Sequence, residues 1–526
     1  MNYEAYAALK KKTHTHVVGP TGRGKSKLIE HMMRQQVLAG EGFCAIARHS
    51  TLYRDMLAYL AYVQPDREIV LLNPSEPSFV VGFNPFVGRG NGDDISTLVS
   101  RRVEATIKPW GLENTNELPT FERVCRALYH FAVVSGETLP NVSLLLRYPK
   151  KELREYAIEI IEESYAKEQW RELHHVRSLR EWREETRSTN NRLSRFVGSA
   201  AVKRFMGLKT GNVDIGEAME RGAIVLVNLG ASPWLDRDAA RVFASLLLNE
   251  FFEAAMRRAG TDKLYTLYCD EFQEYGEQLA PMLNEVRKGG LHLVVAHQHF
   301  AQIDEEMKHS ILTNARLRFV FGGLPFPTAL ELAKELYIAE INERQIKETY
   351  YHTVTKHELE WMKVEGFTSG MTDGESAMGE QDGWSQSQHE SSQVSEVPML
   401  MPYYEEEVTH DAEWSFEEKA AHKAERLMAL PERTCVEKLD LEDAEEVEVP
   451  EVRRFALEDE TVGEYAVSLC ERVGGRPGAD VDRLVAEGER EFVRKATKHL
   501  KAQRDEDFSS RPRRQRGLTS DAHAVS

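Results

Sequence analysis

Eight residues constrain this chain more than any others: Gly19-Pro20-Thr21-Gly22-Arg23-Gly24-Lys25-Ser26. They match GxxxxGK[ST], the loop that wraps phosphates, and they stand where that loop must stand. A β-branched run, Thr15–Val18, precedes them, and helical spacing follows in Leu28, Ile29, Met32, Met33 and Val37 before Gly40 ends it. Gly19, Gly22 and Gly24 let the backbone curl so that its N–H groups, those of Thr21 and Arg23 included, face an anion. Lys25 then reaches the β- and γ-phosphates, Ser26 ligates Mg²⁺, and the start of the helix favours negative charge. The motif predicts ATP and Mg²⁺ as cofactors and a parallel sheet to carry the loop.

The rest of the pattern agrees in part. Strand signals at Phe43–Ala47 and residues 68–72 alternate with a helix at 52–62; more strands follow at 223–229, 264–269, 291–296 and Leu317–Phe321, with helices at 236–258 and 278–288. Strands alternating with helices predict an α/β fold, a RecA-like P-loop NTPase with a mostly parallel central sheet. Between them, from about 95 to 205, there is helical periodicity, dense mixed charge and no strand signal, so an all-α domain is expected as an insertion. The expected division is 1–94 and 206–352 for the two parts of the nucleotide-binding domain and 95–205 for the insertion. Residues 353–413 read as a flexible acidic linker, and 414–526 as a helical C-terminal region with a basic tail, Arg511–Arg516.

Charge supports treating the acidic stretch separately. The chain carries a net −18, yet residues 1–350 and 451–526 are each balanced, and residues 351–450 hold 7 Lys and Arg against 25 Asp and Glu. The acidity therefore says nothing against nucleic-acid binding by the main body. Five scattered cysteines exclude a disulfide scaffold and any CxxC site. No apolar run is long enough for a membrane span, and no secretory signal is seen, so a cytoplasmic protein is expected.

Two further strand ends carry polar groups. The apolar run 264–269 ends in Asp270-Glu271, which suits a Walker B site: Asp270 in the metal shell, Glu271 as the base for attacking water. The run 291–296 ends in His297-Gln298, and Gln298 is placed to sense a γ-phosphate. His297 and His299 read as ordinary strand-end histidines, since no ligand pattern surrounds them.

These parts together resemble the HerA/FtsK-type DNA-pumping ATPases, and within them the coupling proteins of conjugative type IV secretion (TraD/TraG-like). The resemblance covers about residues 14–340, and weakly the tail to about 455. It rests on GPTGRGKS, on FVVGFNPF at 79–86, on GAIVLVNL at 222–229 and on DEFQEYGEQLAPMLNEVRKGGLHLVVAHQHFAQI at 270–303. It implies a homohexameric ring that pumps DNA, with Arg287 as the arginine finger acting on the neighbouring subunit and Lys308, Arg316 and Arg318 as fallback candidates. It also implies relaxosome or secretion-system proteins as partners through the acidic C-terminal region. Two departures stand out. The chain starts almost at the first sheet strand, where membrane-bound relatives carry transmembrane helices, so a soluble variant or one docked on a membrane partner is expected. Ala47-Arg48-His49-Ser50 stands where relatives often carry an acidic motif.

Residues 186–213 contain Arg187, Arg192, Arg195, Lys203, Arg204 and Lys209 and no acid. Cations and polar donors without a base-reading motif suit contact with a DNA backbone, and Arg187, Arg192, Arg195, Lys203 and Arg204 are the expected contacts. The alternatives are a HerA-like DNA-processing or phage-defence motor, an ATPase that recruits protein substrates for secretion, and a scaffold that binds nucleotide without turnover.

Overall fold

The computed structural model describes residues 3–86, 94–110, 116, 118–276, 279–372, 387–455 and 457–510. The tail Arg511–Arg516 lies outside them. Strands β1 (Thr15–Val18), β2 (Phe43–Ala47), β3 (Ile69–Leu72) and β4 (Phe79–Val80) precede the helical stretch. Strands β5 (Ile224–Asn228), β6 (Tyr265–Cys269), β7 (Leu291–His297) and β8 (Leu317–Phe321) follow it. Then come β9 (Ile346–Thr372), β10 (Ser387–Glu413), β11 (Thr434–Leu439), β12 (Glu445–Glu448) and β13 (Arg476–Pro477).

Nine strands form one sheet in the order β12-β11-β8-β1-β7-β6-β2-β5-β3. The seven from β8 to β3 run parallel. They are the seven expected from the sequence, and every residue in them is buried. Burial on both faces explains why they read as continuous apolar runs rather than alternating ones. β1 sits in mid-sheet, and helix Lys25–Leu38 starts from its loop and buries Leu28, Ile29, Met32 and Met33.

Between Ile95 and Met206 the described residues form helices and short 3₁₀ turns without a strand. Trp170 and Trp182 are buried there, and each indole N–H finds a carbonyl, Ala127 O at 3.1 Å and Leu146 O at 3.0 Å. Arg102, fully buried, joins this region to the sheet's flanking helix Arg237–Arg257. Its guanidinium donates to Pro85 O at 2.7 Å, Glu250 Oε1 at 2.9 Å and Glu253 Oε1 at 3.3 Å.

The C-terminal region adds strands to the helices expected there. β11 pairs antiparallel with β8, and β12 with β11, so this segment completes one edge of the sheet. Both strands are short and charge-rich, which suits an edge and hides them from a search for apolar period. The helix expected over 462–503 is broken at Gly474-Gly475 into Asp459–Arg472 and Gly478–Ser510, and β13 between them pairs with β4. Helix Gly478–Ser510 sets Phe492 against Phe131 and Tyr156, and Gln503 and Arg504 donate to Glu159 and Glu155 at 3.0 Å each.

Residues 338–422 form a second unit. In place of a flexible linker, β9 and β10 make an antiparallel ribbon in which Leu359 faces Leu400 and Trp361 faces Pro398. Lys356 pairs with Glu405 at 2.5 Å and Glu407 at 2.8 Å on one face. Apolar side chains stay exposed along it, Trp361 at 62% and Leu400 at 61%. None of its described side chains is buried, so no hydrophobic alternation reveals it there; cross-strand pairs and the backbone ladder hold it.

Candidate active site

Open parallel sheets gather ligands at the C-terminal ends of their strands. Here the order β1-β7-β6 brings three such ends side by side. The glycine loop leaves β1, Asp270-Glu271 leave β6 and Gln298 leaves β7. Gly22 and Gly24 take φ of +84° and +116°, where a side chain would be strained. Gly19 passes β8 so closely that a Cβ would lie 2.5 Å from Phe321 Cβ.

Lys25 is 4% exposed, and its Nζ donates to Gly19 O at 2.6 Å and lies 3.5 Å from Glu271 Oε1. Glu271 Oε2 accepts from Gln273 Nε2 at 2.6 Å and from Gln298 Nε2 at 3.2 Å. Residues from all three strand ends therefore meet on one carboxylate. Glu271 itself is held at φ +51°, a conformation a non-glycine residue adopts at a cost, and such positions concentrate at functional sites.

Asp270 is 1% exposed, and among the described residues neither carboxylate oxygen has a hydrogen-bond partner. Burial, then the neighbouring Glu271 charge, push its carboxyl up to about 7, while Lys25 pulls it down. Buried carboxylates without partners are rare in folded proteins and fit a divalent cation, which supplies the missing charge. Ser26, exposed at the first turn of its helix, is the hydroxyl nearest in sequence to the loop lysine. Among the described residues no group of three or more His, Cys, Asp or Glu forms a separate metal cluster.

Beneath the loop, His16 and His297 stack with their Nε2 atoms 2.8 Å apart. His297 Nδ1 donates to His299 O, so its Nε2 accepts from His16. Burial pulls both well down, His297 to about 3, so the pair is neutral. It ties β1 to β7 directly behind Gln298.

Arg287 is exposed in the turn Val286–Gly289, at the opposite end of β7 from Gln298, and donates to Lys12 O at 2.5 Å. Within its own chain it does not join the site. Lys308, Arg316 and Arg318 are each engaged by carboxylates, those of Glu305 and Glu331, of Asp440 and of Glu335. The five expected DNA contacts are divided. Arg187, Arg192 and Arg195 line one cavity, Lys203 is exposed, and Arg204 is bound to Asp482 at 2.7 Å and to Pro77 O.

Sequence reasoning missed two arginines. Arg433, at φ +62°, donates its N–H to Arg23 O at 3.0 Å and abuts Gly24. It stands just before β11, more than 400 residues from the loop, so no local pattern announces it. Arg48 stands where the acidic motif was expected, donates to Leu229 O at 2.8 Å and lies 3.8 Å from Glu274, three residues past Glu271.

Strand order, glycine loop and carboxylate pair together define a RecA-like P-loop NTPase fold. Among solved structures the chain is similar to the bacterial conjugative coupling protein TrwBΔN70 in its unbound form, with 15% identity, a TM-score of 0.51 and coverage of 86% of this chain and 87% of that one. It is similar to TrwB with the non-hydrolysable GTP analogue GDPNP (14%, TM-score 0.52, 86% and 88%) and to TrwB with ADP and Mg²⁺ (14%, TM-score 0.50, 86% and 89%). The likeness to coupling proteins read from motif order thus holds at the level of fold. No protein-family profile and no curated protein matches the chain. Among the described residues no helix is long and apolar enough to cross a membrane.

Proposed function

We propose that this protein is an ATP-hydrolysing coupling ATPase of a conjugative, type IV secretion-like system, which moves DNA as a hexameric ring. The observation that carries the reading is the convergence of Lys25, Gln273 and Gln298 on Glu271 beside the unpartnered Asp270. TrwB, which has the same fold, is known with an ATP analogue and with ADP and Mg²⁺.

In this reading the loop N–H groups and Lys25 bind the phosphates, and Asp270 with the Ser26 hydroxyl would hold Mg²⁺, which would supply positive charge against the phosphate oxygens. Glu271 takes the proton from the attacking water, and Gln273 and Gln298 orient its carboxylate. Gln298, bonded to Glu271 from the next strand, registers whether a γ-phosphate is present. Arg287, exposed and hydrogen-bonded to the Lys12 carbonyl, serves a neighbouring copy, where an arginine finger is worth ~10³–10⁵ in rate in other NTPases. The ring works on the cytoplasmic side of a membrane and meets DNA-processing and secretion partners through the acidic segment 351–450.

The test is hydrolysis of ATP by the full chain with Mg²⁺, without DNA, with single strands and with duplex, at low and high salt. Lys25→Ala and Glu271→Gln are expected to abolish turnover, and DNA to raise it in the wild type with an effect that fades as salt rises. Full activity in Lys25→Ala refutes the site. Turnover indifferent to any DNA refutes the DNA-moving role and favours a protein-handling ATPase.

A further inference from the structure

A cavity of about 1080 Å³ opens between helix Leu179–Gly198 and the N-terminal turns of helix Arg237–Arg257. It exceeds the ~300–1,000 Å³ usual for small-ligand pockets. Six cations line it, Lys108, Arg187, Arg192, Arg195, Arg237 and Arg241, against two carboxylates. One of those, Asp236, accepts the N–H of Ala239 as the helix cap. Arg187, Asn191 and Arg195 recur every fourth residue, so they form one row with steps of about 6 Å. Trp110 adds an indole to the same wall.

Two guanidinium forks about 12 Å apart with an amide donor between them match a chain of phosphates, since each fork can hold two oxygens in its plane and the amide N–H can donate to a third phosphate. An aromatic ring beside such a row suits a base, which stacks whatever its identity. An acidic peptide would use the cations and make no use of the ring, whose edge-to-face packing on Phe121 fixes its position.

One arginine of the cavity also reaches the active site. The Arg237 guanidinium donates to both oxygens of Glu274 at 3.0 Å. Glu274 ends the 3₁₀ turn that Glu271 begins, and its N–H donates to Glu271 O at 3.1 Å. A phosphate that draws Arg237 away competes with Glu274 and loosens the turn holding Glu271.

We propose that this cavity binds the sugar–phosphate backbone of a single nucleic-acid strand, and that Arg237 carries its occupancy to Glu271 through Glu274. The inference rests on the reading of the protein as a DNA-handling ATPase. It goes further in naming a site and a connection between that site and the catalytic base. Arg237 and Glu274 are positioning residues in this scheme.

Binding is measured by fluorescence anisotropy on the full chain, with a labelled thymidine oligonucleotide about 20 nucleotides long, at about 50 and 200 mM salt. Arg187→Glu with Arg195→Glu is expected to weaken binding by roughly tenfold or more and to flatten the salt dependence. Arg180→Glu with Arg183→Glu, on the same helix outside the cavity, is expected to retain it. Equal affinity in the cavity variant and the wild type overturns the site and leaves DNA handling intact. Wild-type protein that binds neither this strand nor a duplex overturns both readings. Preference for duplex, or displacement of the strand by an equal charge of polyglutamate, overturns the assignment to a single strand. For the connection, the oligonucleotide is expected to raise ATP turnover in the wild type but not in Glu274→Gln, with KM for ATP the same in both. Equal stimulation in Glu274→Gln, or none in the wild type, overturns it.

Discussion

Replacing Asp270 with Asn removes the pH dependence that a buried, unpartnered carboxylate imposes on stability. Asp270 is held at about 7 against an ordinary 3.8, with burial as the first cause and the Glu271 charge as the second. That difference, at about 1.4 kcal/mol per pH unit, is on the order of 4 kcal/mol. Below pH ~4 the group is protonated in both folded and unfolded chains and has no effect. Between pH ~4 and ~7 the unfolded chain releases its proton and the folded one keeps it, so stability is lost as pH rises and the full cost stands above ~7. The Asn amide is also left without partners, a cost of ~1–3 kcal/mol that does not vary with pH. The assay is urea unfolding in EDTA from pH ~5 to ~8.5, wild type beside Asp270→Asn. The stability of the variant minus that of the wild type is expected to rise by on the order of 3 kcal/mol between pH ~5 and ~7 and then level off, the constant amide cost setting only the offset. Magnesium with nucleotide is expected to close the gap by stabilising the wild type alone. Parallel curves across the range would falsify the assignment of the raised carboxyl to Asp270.

Other expectations follow from packing. Arg102→Met leaves Glu250 and Glu253 without their guanidinium and is expected to cost ~3–5 kcal/mol in urea unfolding, with part of the loss recovered on adding Glu250→Gln. Recovery of none of it would show that the carboxylates are not the cause. Gly289→Ala places a methyl 1.9 Å from Ala255 O and is expected to destabilise by ~1–3 kcal/mol or more, read as a lowered melting temperature. All five cysteines are buried, and burial pushes Cys125, Cys435 and Cys470 up to about 12. A thiol reagent at pH ~8 is therefore expected to modify none of them until the chain unfolds, and prompt labelling of Cys125 would contradict the packing around it.

How much the sequence revealed followed from how local each signal was. The seven parallel strands are buried on both faces, so their apolar runs stand out in the chain. The loop at 19–26 and the carboxylates at 270–271 were legible because their chemistry demands neighbours in sequence. Gln298 was legible because a strand end on this edge has only one place to point. Arg433 and Arg48 were not, since each reaches the site through contacts with distant segments. The ribbon of Ile346–Thr372 and Ser387–Glu413 escaped because an exposed two-stranded element needs no apolar face, and its acidic, Ser-rich sequence resembles a linker. The basic stretch 186–213 was seen as one cluster. Folding divides it, because Arg204 turns to Asp482, on a helix nearly 280 residues further along.

The pairing of β11 with β8 also has a consequence in time. Roughly 110 residues separate Phe321 from Thr434, so β8 leaves the ribosome well before its edge partner exists. At about 5–20 residues per second the gap is on the order of ten seconds. Through that interval the fully buried Leu317–Phe321 has an open row of backbone groups on one side, in a chain whose other six parallel strands are already made. Nascent chains of this protein are thus most open to mispairing with one another after the nucleotide-binding residues are complete. A truncation that stops before Thr434 retains every residue of the phosphate loop and carboxylate pair, and leaves that edge exposed for the life of the molecule.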